Sequence, residues 1–213
     1  PNVITYNSAI SACEKAGQWE RALEMLGTMR IAHLEPDLTS WNAAISACGR
    51  SAAWEQALAL LILAQRSDVV PDVITYSALI SSFEKCGEWE QALDMLGQTW
   101  RNDLVPNLIM YSALVSACEK GKNSEQAMQI FESMQQHGTV PNIITCNALI
   151  SACGRGREPE RAQLAFRSME RHGLVPNTIS YNALIIAWVQ GGKPEQGLFV
   201  FRAMQQQGIA ADA

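Results

Sequence analysis

The sequence predicts an all-α fold, a solenoid of six helix-turn-helix repeats with about twelve helices, and three observations carry that prediction. Prolines stand at 1, 36, 71, 106, 141 and 176, always 35 apart, and the other two, Pro159 and Pro194, keep the same spacing. A fixed period of that size marks a repeat array. Within a period the apolar residues fall twice into helical phase: Tyr6, Ala9, Ile10 and Cys13, then Ala22, Met25, Leu26 and Met29, each follow i, i+3, i+4, i+7. One such helix pair cannot bury its apolar face alone, so neighbouring pairs must stack.

Dividing after the residue that follows each joint proline gives repeats 3–37, 38–72, 73–107, 108–142, 143–177 and 178–212, together one solenoid domain over 1–213. No linker or low-complexity tract separates them. The first helix of each repeat starts just past the joint and ends at a turn that Gly or a small polar residue usually marks. Pro159 and Pro194 occupy the column that Trp19, Trp54 and Trp89 fill elsewhere. Proline is tolerated at a helix's first position and harmful inside it, so this column starts the second helix. Gly138, Gly173 and Gly208 stand where that helix should end. The Val/Ile-rich joints, such as residues 69–74, look strand-like, but a proline in each argues against strands.

Composition narrows the function classes. The chain has 213 residues, 48% of them hydrophobic, and a net charge of -5 from 16 basic and 21 acidic residues. That balance disfavours indiscriminate binding to DNA or to membrane surfaces. No apolar run approaches the roughly 18 residues of a membrane span, and nothing reads as a signal peptide. The chain opens at Pro1 without a methionine and stops at Ala213 inside the pattern, so it reads as a piece of something longer.

Four of the six cysteines, Cys13, Cys48, Cys118 and Cys153, share one column with Phe83 and Trp188; Cys86 and Cys146 are replacements in other columns. Packed helices sit about 8–10 Å apart, whereas a disulfide wants Cα atoms within about 7 Å. Free, core-packed thiols in a reducing compartment are expected. No C-x-x-C, glycine-rich phosphate loop, nucleophile elbow or paired-carboxylate constellation stands out. No catalytic residue, metal site, cofactor, membrane contact or small-molecule substrate is therefore expected, and the chain does not read as an enzyme. His33, His137 and His172 stand near the ends of second helices, and the recurring tryptophans fit packing between helix pairs.

The first repeat runs V-I-T-Y-N-S-A-I-S-A-C-E-K-A-G-Q-W-E-R-A-L-E-M-L over 3–26, and the repeats close on Leu/Val-x-Pro-Asp/Asn. With the recurring joint Pro-[Asp/Asn]-x-x-x-Tyr-[Asn/Ser], this resembles the pentatricopeptide repeat family over essentially the whole chain. Tetratricopeptide repeats run at 34 residues with another pattern. The resemblance implies a right-handed α-solenoid that reads single-stranded RNA, about one base per repeat, 5′ to 3′ from the N-terminal repeat. It also implies work in a plastid or mitochondrion, with RNA-processing proteins as further partners.

By resemblance three columns handle the base. The fifth residue of each repeat (Asn7, Asn42, Ser77, Ser112, Asn147, Asn182) and the last (Asp37, Asp72, Asn107, Asn142, Asn177, Asp212) read it. The second residue (Ile4, Thr39, Ile74, Ile109, Ile144, Ile179) clamps neighbouring bases. The chemistry can be argued directly. Short Ser leaves room for a purine, and Asn reaches a smaller pyrimidine. Ionised Asp only accepts, suiting the ring N–H of uracil or guanine, while Asn can also donate to the bare ring nitrogen of adenine or cytosine. The expected target is 5′-UUAA(C/U)U-3′. Asp and Asn are also preferred helix N-caps, and capping alone would account for the last column.

A basic column, Lys15, Arg50, Lys85, Lys120 and Arg155, is broken by Gln190. It suits a ladder of phosphate contacts, and equally cations opposing the dipole at the end of the first helix. Acidic residues gather instead on the second helices (Glu20, Glu55, Glu90, Glu125, Glu160, Glu195), the expected outer face. Some positions depart from pattern. Trp41 and Cys146 replace Tyr, Ser124 replaces Trp, Gln163 replaces Leu or Met and is expected to loosen the fifth repeat, and Ala211 replaces the joint proline. Two rival readings stand beside RNA binding: a protein-binding scaffold of tetratricopeptide type, and the RNA-binding part of a larger processing enzyme.

Overall fold

The computed structural model describes residues 1–209, and among them twelve helices and no strand. They are α1 (Val3–Ala16), α2 (Trp19–Ile31), α3 (Leu38–Arg50), α4 (Trp54–Arg66), α5 (Val73–Cys86), α6 (Trp89–Arg101), α7 (Leu108–Lys120), α8 (Ser124–Gln136), α9 (Ile143–Arg155), α10 (Pro159–Arg171), α11 (Thr178–Gln190) and α12 (Pro194–Gln206). Odd-numbered helices are the first of each repeat and even-numbered helices the second. The fold is all-α as the sequence predicts, and Pro159 and Pro194 sit at the first turns of α10 and α12.

The chain divides into two compact units, Pro1–Met110 and Tyr111–Ala213. In the first, α1, α3 and α5 pack directly on one another, and α2 and α4 each pack on their own first helix and on the next one. In the second, α9 and α11 pack together in the same way, with α8 against α9 and α10 between α9 and α11. First helices therefore carry most of the buried surface. Ile45, Ala47 and Cys48 of α3 and Leu149, Ile150 and Cys153 of α9 are wholly buried. All six cysteines are free, and burial pushes the thiols of Cys118 and Cys153 up to about 12, so these are packing groups without nucleophilic character.

Each repeat turns at the same two places by the same backbone device. Between its helices the residue at φ about +60 is Gly17, Ala52, Gly87, Lys122, Arg157 or Gly192; after the second helix it is His33, Asp68, Asp103, Gly138, Gly173 or Gly208. Side-chain-bearing residues thus hold the left-handed conformation six times, at roughly 1–2 kcal/mol each. Ala52→Gly at φ 57 should relieve that strain at a smaller entropic cost of about 0.5–1 kcal/mol. A net gain of about 0.5–1 kcal/mol and a rise of a few degrees in the thermal midpoint follow. A lowered midpoint would show that Ala52 carries no strain there.

The histidines are helix-end groups: the Nδ1 atoms of His137 and His172 lie 2.7 Å from the carbonyls of Ser133 and Ser168. Tyrosines of the fourth column tie the two helices of a hairpin together in the third and sixth repeats. The Tyr181 hydroxyl donates to Gln207 at 2.7 Å, and Tyr76 accepts from Asn102 at 2.9 Å. Trp41 fills that column as an apolar ring, 2% exposed, but its buried Nε1 has no hydrogen-bond partner among the described residues. Gln163, expected to loosen its repeat, instead accepts from Trp188 Nε1 at 3.3 Å. Two departures from the pattern answer one another. Among the described residues no helix is long and apolar enough to cross a membrane.

Candidate nucleic-acid interface

The fifth and last columns meet in space. A first helix begins with an Asp or Asn cap whose Oδ1 accepts the backbone N–H three residues on. This holds for Asn2, Asp37, Asp72, Asn107, Asn142 and Asn177, at 2.8–3.1 Å. Packing of the next first helix against the previous one then brings each cap beside the reader of the preceding helix. Asn7 Nδ2 donates to both carboxylate oxygens of Asp37, at 3.1 and 3.2 Å, and Asn42 Nδ2 donates to Asp72 at 3.1 Å. Asn107 Nδ2 lies 3.5 Å from Ser77 Oγ.

Capping is therefore real at every described member of the last column, and it uses only Oδ1. It is blind to whether the second terminal atom is an oxygen or a nitrogen. The choice between Asp and Asn is left for whatever meets that second atom. Burial would raise the Asp37 and Asp72 carboxyls, but hydrogen bonds outweigh it. The Ser40 or Thr75 backbone and hydroxyl, the Asn7 or Asn42 amide, and the Thr39 or Ile74 backbone hold both below the ordinary value. Both are ionised acceptors at neutral pH. Asp212, the sixth member, lies outside the described residues; Asn182 is exposed.

A third participant, which the sequence alone does not single out, joins four of these pairs. The third residue of a repeat places a hydroxyl between the preceding repeat's two readers: Ser40 donates to Asn7 Oδ1, Thr75 to Asn42 Oδ1 at 2.6 Å, and Ser180 to Asn147 Oδ1 at 2.7 Å. Thr145 and Ser112 share a hydrogen bond of 2.6 Å. In the fourth repeat the position is Met110, and Ser77 donates back to Val73 O at 2.6 Å. The column Thr5, Ser40, Thr75, Thr145, Ser180, broken by Met110, was present in the aligned repeats as the available signal.

The second column stands free beside these pairs. Ile4, Ile74, Ile109, Ile144 and Ile179 are 61–73% exposed, and Thr39 is exposed. An apolar residue left in water on five of the six first helices is a ready partner for a flat ring. On α1 a depression is lined by Ile4, Asn7, Ser8, Ser11, Lys15 and Thr39. It gathers clamp, reader and cation around one space.

The basic column lies on the same face but is partly engaged. Arg50 Nε is 3.5 Å from Glu14, and Arg155 Nη2 is 3.1 Å from Glu119, itself hydrogen-bonded by Ser151. Lys85 Nζ donates to Arg50 O at 2.7 Å, and Arg155 Nη1 to Glu119 O at 3.3 Å. Lys85 and Arg155 thus oppose the C-terminal dipole of the preceding repeat's first helix. Lys15 and Lys120 are also exposed, and Glu20, Glu55, Glu90, Glu125, Glu160 and Glu195 stand exposed in the first turns of second helices.

Family models cover the described chain. A pentatricopeptide repeat domain matches residues 60–119 and 95–156, the PPR repeat family matches 1–50 and 141–187, and a PPR repeat matches 39–69 and 179–209. Among solved structures, the pentatricopeptide repeat protein PPR10 from maize is 28% identical over 100% of this chain, with a TM-score of 0.72. This chain spans 30% of that protein. PPR10 in complex with an 18-nt psaJ RNA element is 27% identical over 100% of this chain and 29% of that one, with a TM-score of 0.55. The PPR domain of Arabidopsis thaliana protein-only RNase P 1, in complex with tRNA, has a TM-score of 0.75 at 14% identity, over 84% of this chain and 95% of that one, a likeness of fold alone. No curated protein matches.

Proposed function

Because the chain belongs to the pentatricopeptide repeat family, we propose that it is a non-enzymatic, sequence-selective binder of single-stranded RNA. Each repeat takes one base, and the target is 5′-UUAA(C/U)U-3′. The observation that carries this reading is the recurrence of one arrangement. A hydrogen-bonded polar pair whose outer atoms differ from repeat to repeat lies beside an exposed apolar residue, as at Asn7/Asp37 with Ile4 and Thr39. Polarity along the stack varies while the scaffold does not, as a reader requires. Bound in this way the protein shields a transcript from nucleases, opens its structure or recruits RNA-processing proteins, in a plastid or mitochondrion.

A mobility-shift titration tests it. RNA containing UUAACU should bind more tightly than RNA containing AAUUGA. Equal affinity, or none, would leave these exposed columns to a protein ligand instead. Raising salt in the same assay weighs the basic column. If Lys15, Arg50, Lys85, Lys120 and Arg155 all neutralise phosphates, log K against log salt has a slope near -3.5, at about -0.7 per contact. If Arg50 and Arg155 stay with Glu14 and Glu119, the slope is about -2.

A further inference from the structure

We propose that Ser40, Thr75, Thr145 and Ser180 are positioning residues that decide which polar atom the preceding repeat's reader turns towards the base. The inference rests on the RNA reading above. All four are buried, at 0–1% exposure, so none touches a ligand directly. A hydroxyl has one proton to give and two lone pairs to receive. The cap's backbone N–H donates into Ser40, Thr75 and Ser180 at 3.1–3.2 Å. Two oxygens then compete for the proton. The cap's Oδ1 lies at 2.9 Å from Ser40, 2.9 Å from Thr75 and 3.0 Å from Ser180. The reader's Oδ1 lies closer, at 2.6 Å for Thr75 and 2.7 Å for Ser180. The shorter contact makes the reader the main acceptor of that proton, and the cap's oxygen takes the weaker branch of a shared bond.

That donation fixes the reader's amide. With its carbonyl oxygen held by a buried donor, Asn42 can offer only Nδ2. One of its hydrogens goes to Asp72 and the other is left for the ligand. The Asn42/Asp72 pair then shows a donor beside an ionised acceptor, which complements the carbonyl and ring N–H of uracil and rejects cytosine, whose ring nitrogen is bare. In the fifth repeat Ser180 occupies the Oδ1 atoms of both Asn147 and Asn177, through its hydroxyl at 2.7 Å and its backbone N–H at 3.1 Å. Both amides are left with donors, which match the carbonyl and bare nitrogen of cytosine. The same device resolves the C/U choice at this repeat as C.

The serine readers reach the opposite polarity. Thr145 lies 2.8 Å from Asn142 Oδ1 and 2.6 Å from Ser112 Oγ. When Thr145 donates to Asn142, Ser112 donates to Thr145 and keeps only lone pairs for an adenine amino group. Ser77, beside Met110, spends its proton on Val73 O and ends in the same state without a bridging hydroxyl. The third repeat is thus a control inside the molecule.

The test is discrimination at single bases, measured on the whole chain with RNAs that vary one position of UUAACU. The native protein should prefer U over C at the second base by about tenfold, the range of a well-placed polar pair. Thr75→Val should cut that ratio to within about twofold and leave the preference for A at the third base unchanged, while Thr75→Ser restores it. A purely structural, capping role would weaken all RNAs alike and leave the ratio intact. Should Thr75→Val fail to fold by circular dichroism, Ser180→Ala is read at the fifth base, where preference for C over U should vanish. A folded Thr75→Val or Ser180→Ala variant with native ratios overturns the positioning role alone. Absence of any preference in the native protein overturns the RNA reading, and the positioning role with it.

Discussion

Replacing Ser77 and Ser112 by Asn, and Asn107 and Asn142 by Asp, is expected to convert the two central repeats from A to U readers. The fold should survive, because capping at Asn107 and Asn142 uses Oδ1 only, at 3.0 and 2.8 Å, and Asp supplies that atom equally. Asn in the fifth column is already accommodated at 7, 42 and 147 on the same helix face. The new side chains fill the space a purine would need and exchange amide donors for ionised acceptors. Each position should swing by roughly 1–3 kcal/mol, nearly additively. The preference for UUAACU over UUUUCU should therefore invert, with a total change of about a hundredfold or more.

The inversion should also be uneven. The amide introduced by Ser112→Asn would meet the Thr145 hydroxyl that orients it. The one introduced by Ser77→Asn would face Met110, which is buried and has no proton to give. The fourth base should switch more completely than the third. Titration of the four RNAs combining A or U at those two positions measures both effects. Unchanged preference in a folded variant would refute the assignment of these columns.

Most of the fold was legible because a helix hairpin repeated six times shows its own columns. The joint prolines, the proline-or-tryptophan start of second helices and the small residues of the buried faces each recur at 35. The turns were less legible. Ala52, Lys122 and Arg157 hold the same left-handed conformation as Gly17 and Gly87, and nothing in their side chains announces it. Packing imposes that turn, and the residue tolerates it. The reader columns could be named by resemblance and weighed by polarity, but their coupling could not. Ser40 and Thr75 read as ordinary first-turn capping partners, and only the stacking of helices brings each hydroxyl to an amide 33 residues away. The pairs Glu14–Arg50 and Glu119–Arg155 were hidden for the same reason. Contacts between repeats follow from how helices pack, and column identity carries that only indirectly.

Phe83→Ala is expected to be the most destabilising single substitution in the first compact unit. Phe83 fills the column that cysteine occupies in four other repeats, is wholly buried, and meets Trp54 at a ring-centroid distance of 5.6 Å and an angle of 45°. Truncating a buried phenylalanine costs roughly 3–5 kcal/mol, according to how far the surroundings collapse into the void. Collapse is poorly available here. The ring already borders a depression lined by Leu58, Leu61, Ile62 and Met95, so its loss would open the apolar face between α4 and α6 to water. In a stack held by nearest neighbours, that loss falls on one hairpin and on its junction with the hairpin before it. The thermal midpoint should drop by about 10 °C or more, with amide exchange rising first in α5 and α6. RNA affinity should fall with it, because Ser77 and the Asn42–Asp72 bond are held by that junction. Phe83→Leu, which keeps most of the volume, should cost well under half as much. A loss below about 1 kcal/mol for Phe83→Ala would mean that stacking of the first helices alone carries the array, with no contribution from the Trp54–Phe83 contact.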